Sequence, residues 1–259
     1  MTGAGDWNLP REEAIPRLLN LHGGDLYGLG LRLCRDPHRA EDLVQETFLQ
    51  AFRHWAKFEG RSSPSTWLYA IASRVCHRFR RRRAGEPVRM ASLEELLPFG
   101  EPTMPAPGPA DAAPSAELRE RVEEAVAALP PSFRMPLVLK DIHGFSVAET
   151  AAILGLREAT VKTRVHRARL HLRAAAAAAL PRRTGTAPAY SRRVCLDLLR
   201  AKQEALDRGV PFPLEGGVVC ERCSAVFASL DLAVDACRDL TRGDLPAALR
   251  GRILAATAG

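Results

Sequence analysis

Apolar positions recur at three- and four-residue intervals through most of the chain, and strict alternation is nearly absent, so the pattern predicts an all-α protein. The clearest segment starts at Asp36-Pro37, an N-cap followed by the first helical position. From there AEDLVQETFLQAFRHW puts Ala40, Val44, Phe48 (or Thr47), Ala51 and Trp55 on one face. Asp42, Gln45, Glu46 and Leu49 fall largely on another, a polar surface with a single apolar residue. The irregular stretch KFEGRSSPST separates this helix from the next, TWLYAIASRVCHRFRRRR, which ends in Arg80 to Arg83. That helix interleaves Trp67, Tyr69 and Phe79 with basic residues, offering flat faces to bases and charge to phosphates. Packing of Trp67 and Ile71 in a core explains the apolar part equally well.

A second pattern of this kind runs from Ser146 to Arg173 and predicts two helices joined by a tight turn. Ser146 and Glu149 have the spacing of a capping box, and Gly155 is a suitable stop. Val161, Val165, Ala168 and Leu172 form the buried face of the second helix, with Thr160, Thr163, Arg164 and Arg167 pointing outward. Six of the nineteen residues from Gly155 to Arg173 are Lys or Arg, and Glu158 is the one acid. This is the helix-turn-helix arrangement, in which the basic second helix enters the major groove; a solvated basic helix on an ordinary hairpin is the plainer alternative.

Between the two patterns, residues 84–114 hold seven prolines in 31 residues and read as a partly extended linker with one short turn near SLEEL. The organisation is then a helical domain at 11–83, the linker at 84–114, a helix-turn-helix domain at 115–180 and a small helical domain with cysteines at 190–259. Composition adds a net charge of +7 and a pI near 9.4, which suit a polyanionic partner. No apolar run approaches the ~18 residues of a membrane span, and the N-terminus has neither the basic start nor the apolar core of a signal peptide. A cytoplasmic protein without a membrane partner is expected, in which the six cysteines serve as thiols or metal ligands.

The order of the AEDLVQETFLQAF and STWLYAIA signatures, a Pro-rich linker, then ALPPSFRMPLVLKDIHGFSVAETAAILGLREATVKTRVHRARLHL, resembles the extracytoplasmic-function (ECF) group of sigma factors over about residues 12–180. The resemblance implies a non-enzymatic initiation factor whose partners are core RNA polymerase and promoter DNA. Asp42, Gln45, Glu46 and Leu49 would dock on core polymerase. Phe58, Arg61, Ser62 and Ser63 would capture a base flipped from the minus-10 element, with Trp67, Arg74 and His77 facing the melting strand. Arg157, Thr160, Lys162, Thr163, Arg164 and Arg167 would contact the minus-35 element. Arginines there suit guanine edges, and Lys162 and Thr163 suit phosphates.

The tail carries Cys195, then Cys220-Glu-Arg-Cys223 before an apolar helix, and Cys237. It resembles a zinc-binding anti-sigma domain, which makes Cys195, Cys220 and Cys223 the expected metal ligands and zinc the expected ion. The His of that family's pattern is replaced by Gly216. On a continuous helix Cys237 would lie about 20 Å beyond Cys223, too far to serve as a fourth ligand. Two forms stay open: a three-thiolate site completed by water or a carboxylate such as Glu215, and a cluster of free thiols. The tail is expected to act on the chain in cis through this site, with either sign. A stand-alone helix-turn-helix regulator with a sensing domain is the competing function. A metal-dependent enzyme lacks a His or acid placed as a general base beside the cysteines.

Overall fold

The computed structural model describes residues 7, 9–79, 89–97, 103–105, 115–212, 219–240 and 243–257. The chain forms two compact units, one of Met1–Gly85, Glu149–Leu156 and Thr241–Gly259, the other of Glu86–Ala148 and Arg157–Leu240. The tail is therefore divided: most of it belongs to the second unit, and its last helix to the first. The fold is all-α, and among the described residues the exception is a short antiparallel pair, β1 (Thr103–Pro105) and β2 (Arg182–Thr184).

The first unit is built on α1 (Arg11–Cys34), α2 (Pro37–His54) and α3 (Pro64–Phe79). Asp36 caps α2 by accepting the amides of His38 and Arg39, and Pro37 occupies the first helical position. The predicted face of α2 is buried: Ala40, Val44, Thr47, Phe48 and Ala51 are fully enclosed and Trp55 nearly so. It packs on Ile15, Leu18, Leu26 and Leu29 of α1 and on the α3 face of Leu68, Ile71 and Val75. A Cβ on Gly30 would lie 3.0 Å from the Cα of Ala40, so α1 and α2 cross there almost backbone to backbone. The last helix of the unit is α11 (Ala247–Ala256), which packs on α2 and α1.

In the second unit α8 (Glu158–Ala178) is the central element, packed by α5 (Ala116–Ala128), α6 (Pro131–Leu137, continuing into a wider turn at Val138–Ile142) and α10 (Glu221–Arg238). Pro130 and Pro131 have no amide hydrogen to offer the end of α5. The buried Arg134 side chain donates instead to the carbonyls of Ala127 and Leu129. The short turn at SLEEL is present as α4 (Leu93–Leu96), with a complete Ser92/Glu95 capping box. The segment read as a linker does more than connect, because Leu96 and Leu97 are buried beside Leu170, Leu199 and Phe227. Arg80 to Arg83, Glu215 and Gly216 lie outside the described residues.

α7 (Val147–Leu154) begins one residue after Ser146, which puts Ser146 and Glu149 at the expected cap positions. It ends on Gly155 at φ +63°, with the Leu156 amide bonded to Ala151 O and the Gly155 amide directed to Ala152 O. This double closure satisfies the last carbonyls of the helix and needs a left-handed residue.

Candidate nucleic-acid interface and thiol site

α8 starts from Arg157, whose extended backbone at the N-cap lets its carbonyl accept the amides of Thr160 and Val161. Val161, Val165, Ala168 and Leu172 are buried, as their spacing predicts, which fixes the side of the helix that is left for contacts. Arg157 and Thr163 are exposed; Thr160, Lys162, Arg164 and Arg167 are half-buried. The Thr163 hydroxyl donates to Ala159 O within its own helix. The Arg167 guanidinium donates to Ala91 O at 2.5 Å and lies 5.3 Å from the centre of the Phe133 ring. Arg167 is thus held by the chain itself rather than pointing freely outward.

Lys162 also belongs to a second row with His166 and Arg169, two side chains that the sequence did not single out. Lys162, His166 and Arg169 recur at i, i+4 and i+7 on α8 and meet α9 (Arg192–Arg208). Lys162 Nζ is 2.8 Å from Glu204 Oε2, His166 Nε2 is 2.8 Å from Asp207 Oδ2, and Arg169 Nη1 is 2.7 Å from Asp207 Oδ1. Gln203 adds a bond from its side-chain amide to His166 O. The Lys162 pair is over a third exposed at both ends, so it is weak. The Arg169 pair is enclosed, with both side chains at 3% exposure or less. Burial alone would raise the Asp207 carboxyl, but the hydrogen bond from His166 and the charge of Arg169 outweigh it and hold the group below the ordinary carboxylate range. Asp141 independently holds Arg169 through two bonds of 2.8 and 2.7 Å. Arg169 therefore keeps a partner if α9 leaves, and Asp207 returns to water as a free carboxylate. The contact between α8 and α9 can separate without stranding a buried charge.

The same α9 carries Cys195 in its first turn. Cys220 caps α10 and Cys223 sits in the first turn of α10. The three sulfurs lie within 4.8 Å of one another, so the structure brings the predicted trio together. Burial would raise the Cys220 thiol, yet the backbone amides of Cys223, Ala189 and Arg222 and the Cys223 thiol hold it below its ordinary value. Cys223 is pushed strongly up, by burial and by its two neighbouring thiols. Three soft donors within 4.8 Å of one another fit a divalent metal with an open fourth position. Cys237 is buried near the far end of the unbroken α10, outside this group.

In the first unit Asp42 is exposed and Gln45, Glu46 and Leu49 are half-buried on α2, where Glu46 accepts from Gln50 at 2.7 Å. Phe58 stacks on Trp55 at 5.1 Å between ring centres, and Trp67 meets both rings at 5.7 and 5.5 Å. Trp67 is thus shared between core and surface, and Phe58 is held rather than free. Ser63 caps α3: its hydroxyl accepts the Thr66 amide and pairs with the Ser65 and Thr66 hydroxyls. Arg61 and Ser62 are exposed beside Gly60, which turns at φ +69°. Arg74 and His77 are exposed one turn apart on α3.

Residues 18–86 match the model of Sigma-70 region 2, and residues 119–172 that of Sigma-70 region 4. The chain is 32% identical to the ECF RNA polymerase sigma factor SigW of Bacillus subtilis, over 62% of its own length and 88% of that protein. It is 37% identical to the ECF sigma factor SigE of Mycolicibacterium smegmatis, over 60% of this chain and 59% of that one. Among solved structures, the sigma factor RpoE in complex with the anti-sigma factor NepR from Bartonella quintana is 27% identical, covering 61% of this chain and 94% of its own, with a TM-score of 0.44. No described helix is long and apolar enough to cross a membrane.

Proposed function

The chain belongs to the ECF RNA polymerase sigma factors, a group of non-enzymatic initiation factors that bind core polymerase and promoter DNA, and from that premise we propose that its tail masks its own DNA-reading helix. The observation that carries this reading is the seating of Glu204 and Asp207 on Lys162, His166 and Arg169. Two carboxylates occupy the Lys162 and Arg169 cations and the His166 ring on the helix proposed to meet promoter phosphates. A tether gives such a contact an effective concentration of roughly millimolar, so it competes with DNA even if it is weak by itself.

In this reading Arg157, Thr160, Lys162, Thr163, Arg164 and Arg167 contact the minus-35 element once α9 and the 89–97 segment withdraw. Asp42, Gln45, Glu46 and Leu49 serve core polymerase. Arg61 and Ser62 line the minus-10 capture loop, which the Phe58–Trp55–Trp67 stack and the Ser63 cap hold in place, and Arg74 and His77 face the melting strand. The factor works in the cytoplasm, where polymerase is.

Cys195, Cys220 and Cys223 would hold zinc, which supplies a cross-link between the starts of α9 and α10. Cys195 precedes Glu204 by nine residues, about 14 Å along α9. Fastening the start of α9 therefore steadies the acids near its end. Removal of the metal loosens α9, as would peroxide if it joins Cys220 and Cys223 in a disulfide, itself reduced to two waters, and leaves Cys195 without its cross-link; this gives the tail an inhibitory sign. The experiment is run-off transcription with core polymerase, comparing wild type with a Cys195→Ser/Cys220→Ser/Cys223→Ser variant under chelation, zinc and peroxide. Wild type should respond to each condition and the variant should be active throughout; identical transcript levels in all conditions would remove the thiols from the switch.

A further inference from the structure

We propose that the C-terminal helix α11 and the strap before it compete with core polymerase for the first unit, an inference that rests on the sigma-factor reading of α2. The starting point is α1, whose sequence GGDLYGLG sets Gly23, Gly24 and Gly28 inside a helix. Glycine weakens a helix relative to alanine, so these positions call for a compensating contact. They have one. A Cβ on Gly28 would meet the Gly243 backbone nitrogen at 2.8 Å, and a Cβ on Gly23 would meet the Leu245 side chain at 2.8 Å. The reverse also holds, since a Cβ on Gly243 would lie 2.9 Å from Gly28 N and 3.0 Å from its Cα. Bare backbone on α1 and bare backbone on the strap fit each other, and no larger residue is tolerated at Gly24, Gly28 or Gly243 without a shift of main chain.

The strap delivers α11 to the surface of α1 and α2. Leu249 and Ile253, one turn apart, are fully buried, and Thr257 nearly so. Two polar contacts flank this apolar seam: Arg250 donates to Asn20 Oδ1 of α1 at 2.6 Å, and Arg252 to Glu41 of α2 at 2.5 Å. Glu41 stands one helical turn before Gln45, at the rim of the face assigned to polymerase. A partner that lies along α2 has to displace α11 or do without that edge. The surface offers bare glycine backbone to the strap and the Glu41 carboxylate at the edge of the α11 seat, and its occupant is the chain's own C-terminal helix.

The test uses the full-length chain, fluorescently labelled and titrated with core RNA polymerase. Gly243→Val forces the strap off Gly28, and Leu249→Asp/Ile253→Asp separately removes the apolar seam. Each should bind core about tenfold more tightly than wild type, because the binding-competent fraction rises. In wild type, hydrogen exchange of residues 247–256 should accelerate when core is added. Equal or weaker binding by both variants with α1–α3 amides still protected, or undiminished protection of α11 in the wild-type complex, would overturn the clamp. Failure of every form to bind core would instead strike the sigma-factor reading of α2, and the clamp would fall with it.

Discussion

Arg169 carries one positive charge and meets two carboxylates, Asp141 and Asp207, that do different work. Asp141 is buried and bidentate, so Asp141→Ala should cost the second unit about 3 kcal/mol in urea unfolding. Asp207 belongs to the separable element, so Glu204→Lys with Asp207→Asn should leave unfolding nearly unchanged. That pair should instead raise exchange at α9 amides and strengthen DNA binding several-fold. If the double variant unfolds the unit as Asp141→Ala does, the contact is structural and not a latch. The Asp207 carboxyl also sets a pH dependence. Its value is lower folded than unfolded, so its contribution is fully present above the ordinary carboxylate value of about 4 and is lost as pH falls through the depressed one. Protection of α9 followed by hydrogen exchange should therefore decline only on the acid side of that range. A decline that begins at neutral pH would point to a different group.

Elements differ in how much of them was legible in the sequence, and the difference follows the range of the interactions. The Asp36-Pro37 start of α2, the short turn at SLEEL that forms α4 and the Gly155 stop of α7 each rest on contacts within five residues, and each was legible, although the Ser92/Glu95 box itself was not read. Gly155→Ala should accordingly cost about 1 to 2 kcal/mol, read from chemical denaturation, because a Cβ is strained at φ +63°. The trio of cysteines was legible through a family pattern, although only the fold brings Cys195 to Cys220 and Cys223. The seat of α9 on α8 was not, because Lys162 and Glu204 are 42 residues apart and neither looks unusual alone. The glycines of α1 gave no local signal either; their use depends on Gly243, more than 200 residues later. At the thiol site, zinc retained by the full chain should raise the unfolding midpoint of the second unit and protect α9. At a hundredfold excess over its dissociation constant the gain is about 2.7 kcal/mol. A chelator that leaves the midpoint and the α9 amides unchanged would show that the thiols hold no stabilising metal.

For the whole molecule, the tail is distributed over both units, α9 and α10 in one and α11 in the other, so each sigma region carries a piece of it. Family membership accounts for regions 2 and 4, and the masking of the reading helix is the claim that goes beyond it. Run-off transcription of fragmented genomic DNA from the source organism, reconstituted with core polymerase, tests that claim on whichever promoters the factor selects. The full chain should yield few transcripts, and Glu204→Lys/Asp207→Asn should yield the same start sites at several-fold higher levels. Equal transcript levels from the two proteins, or start sites that differ between them, would contradict it.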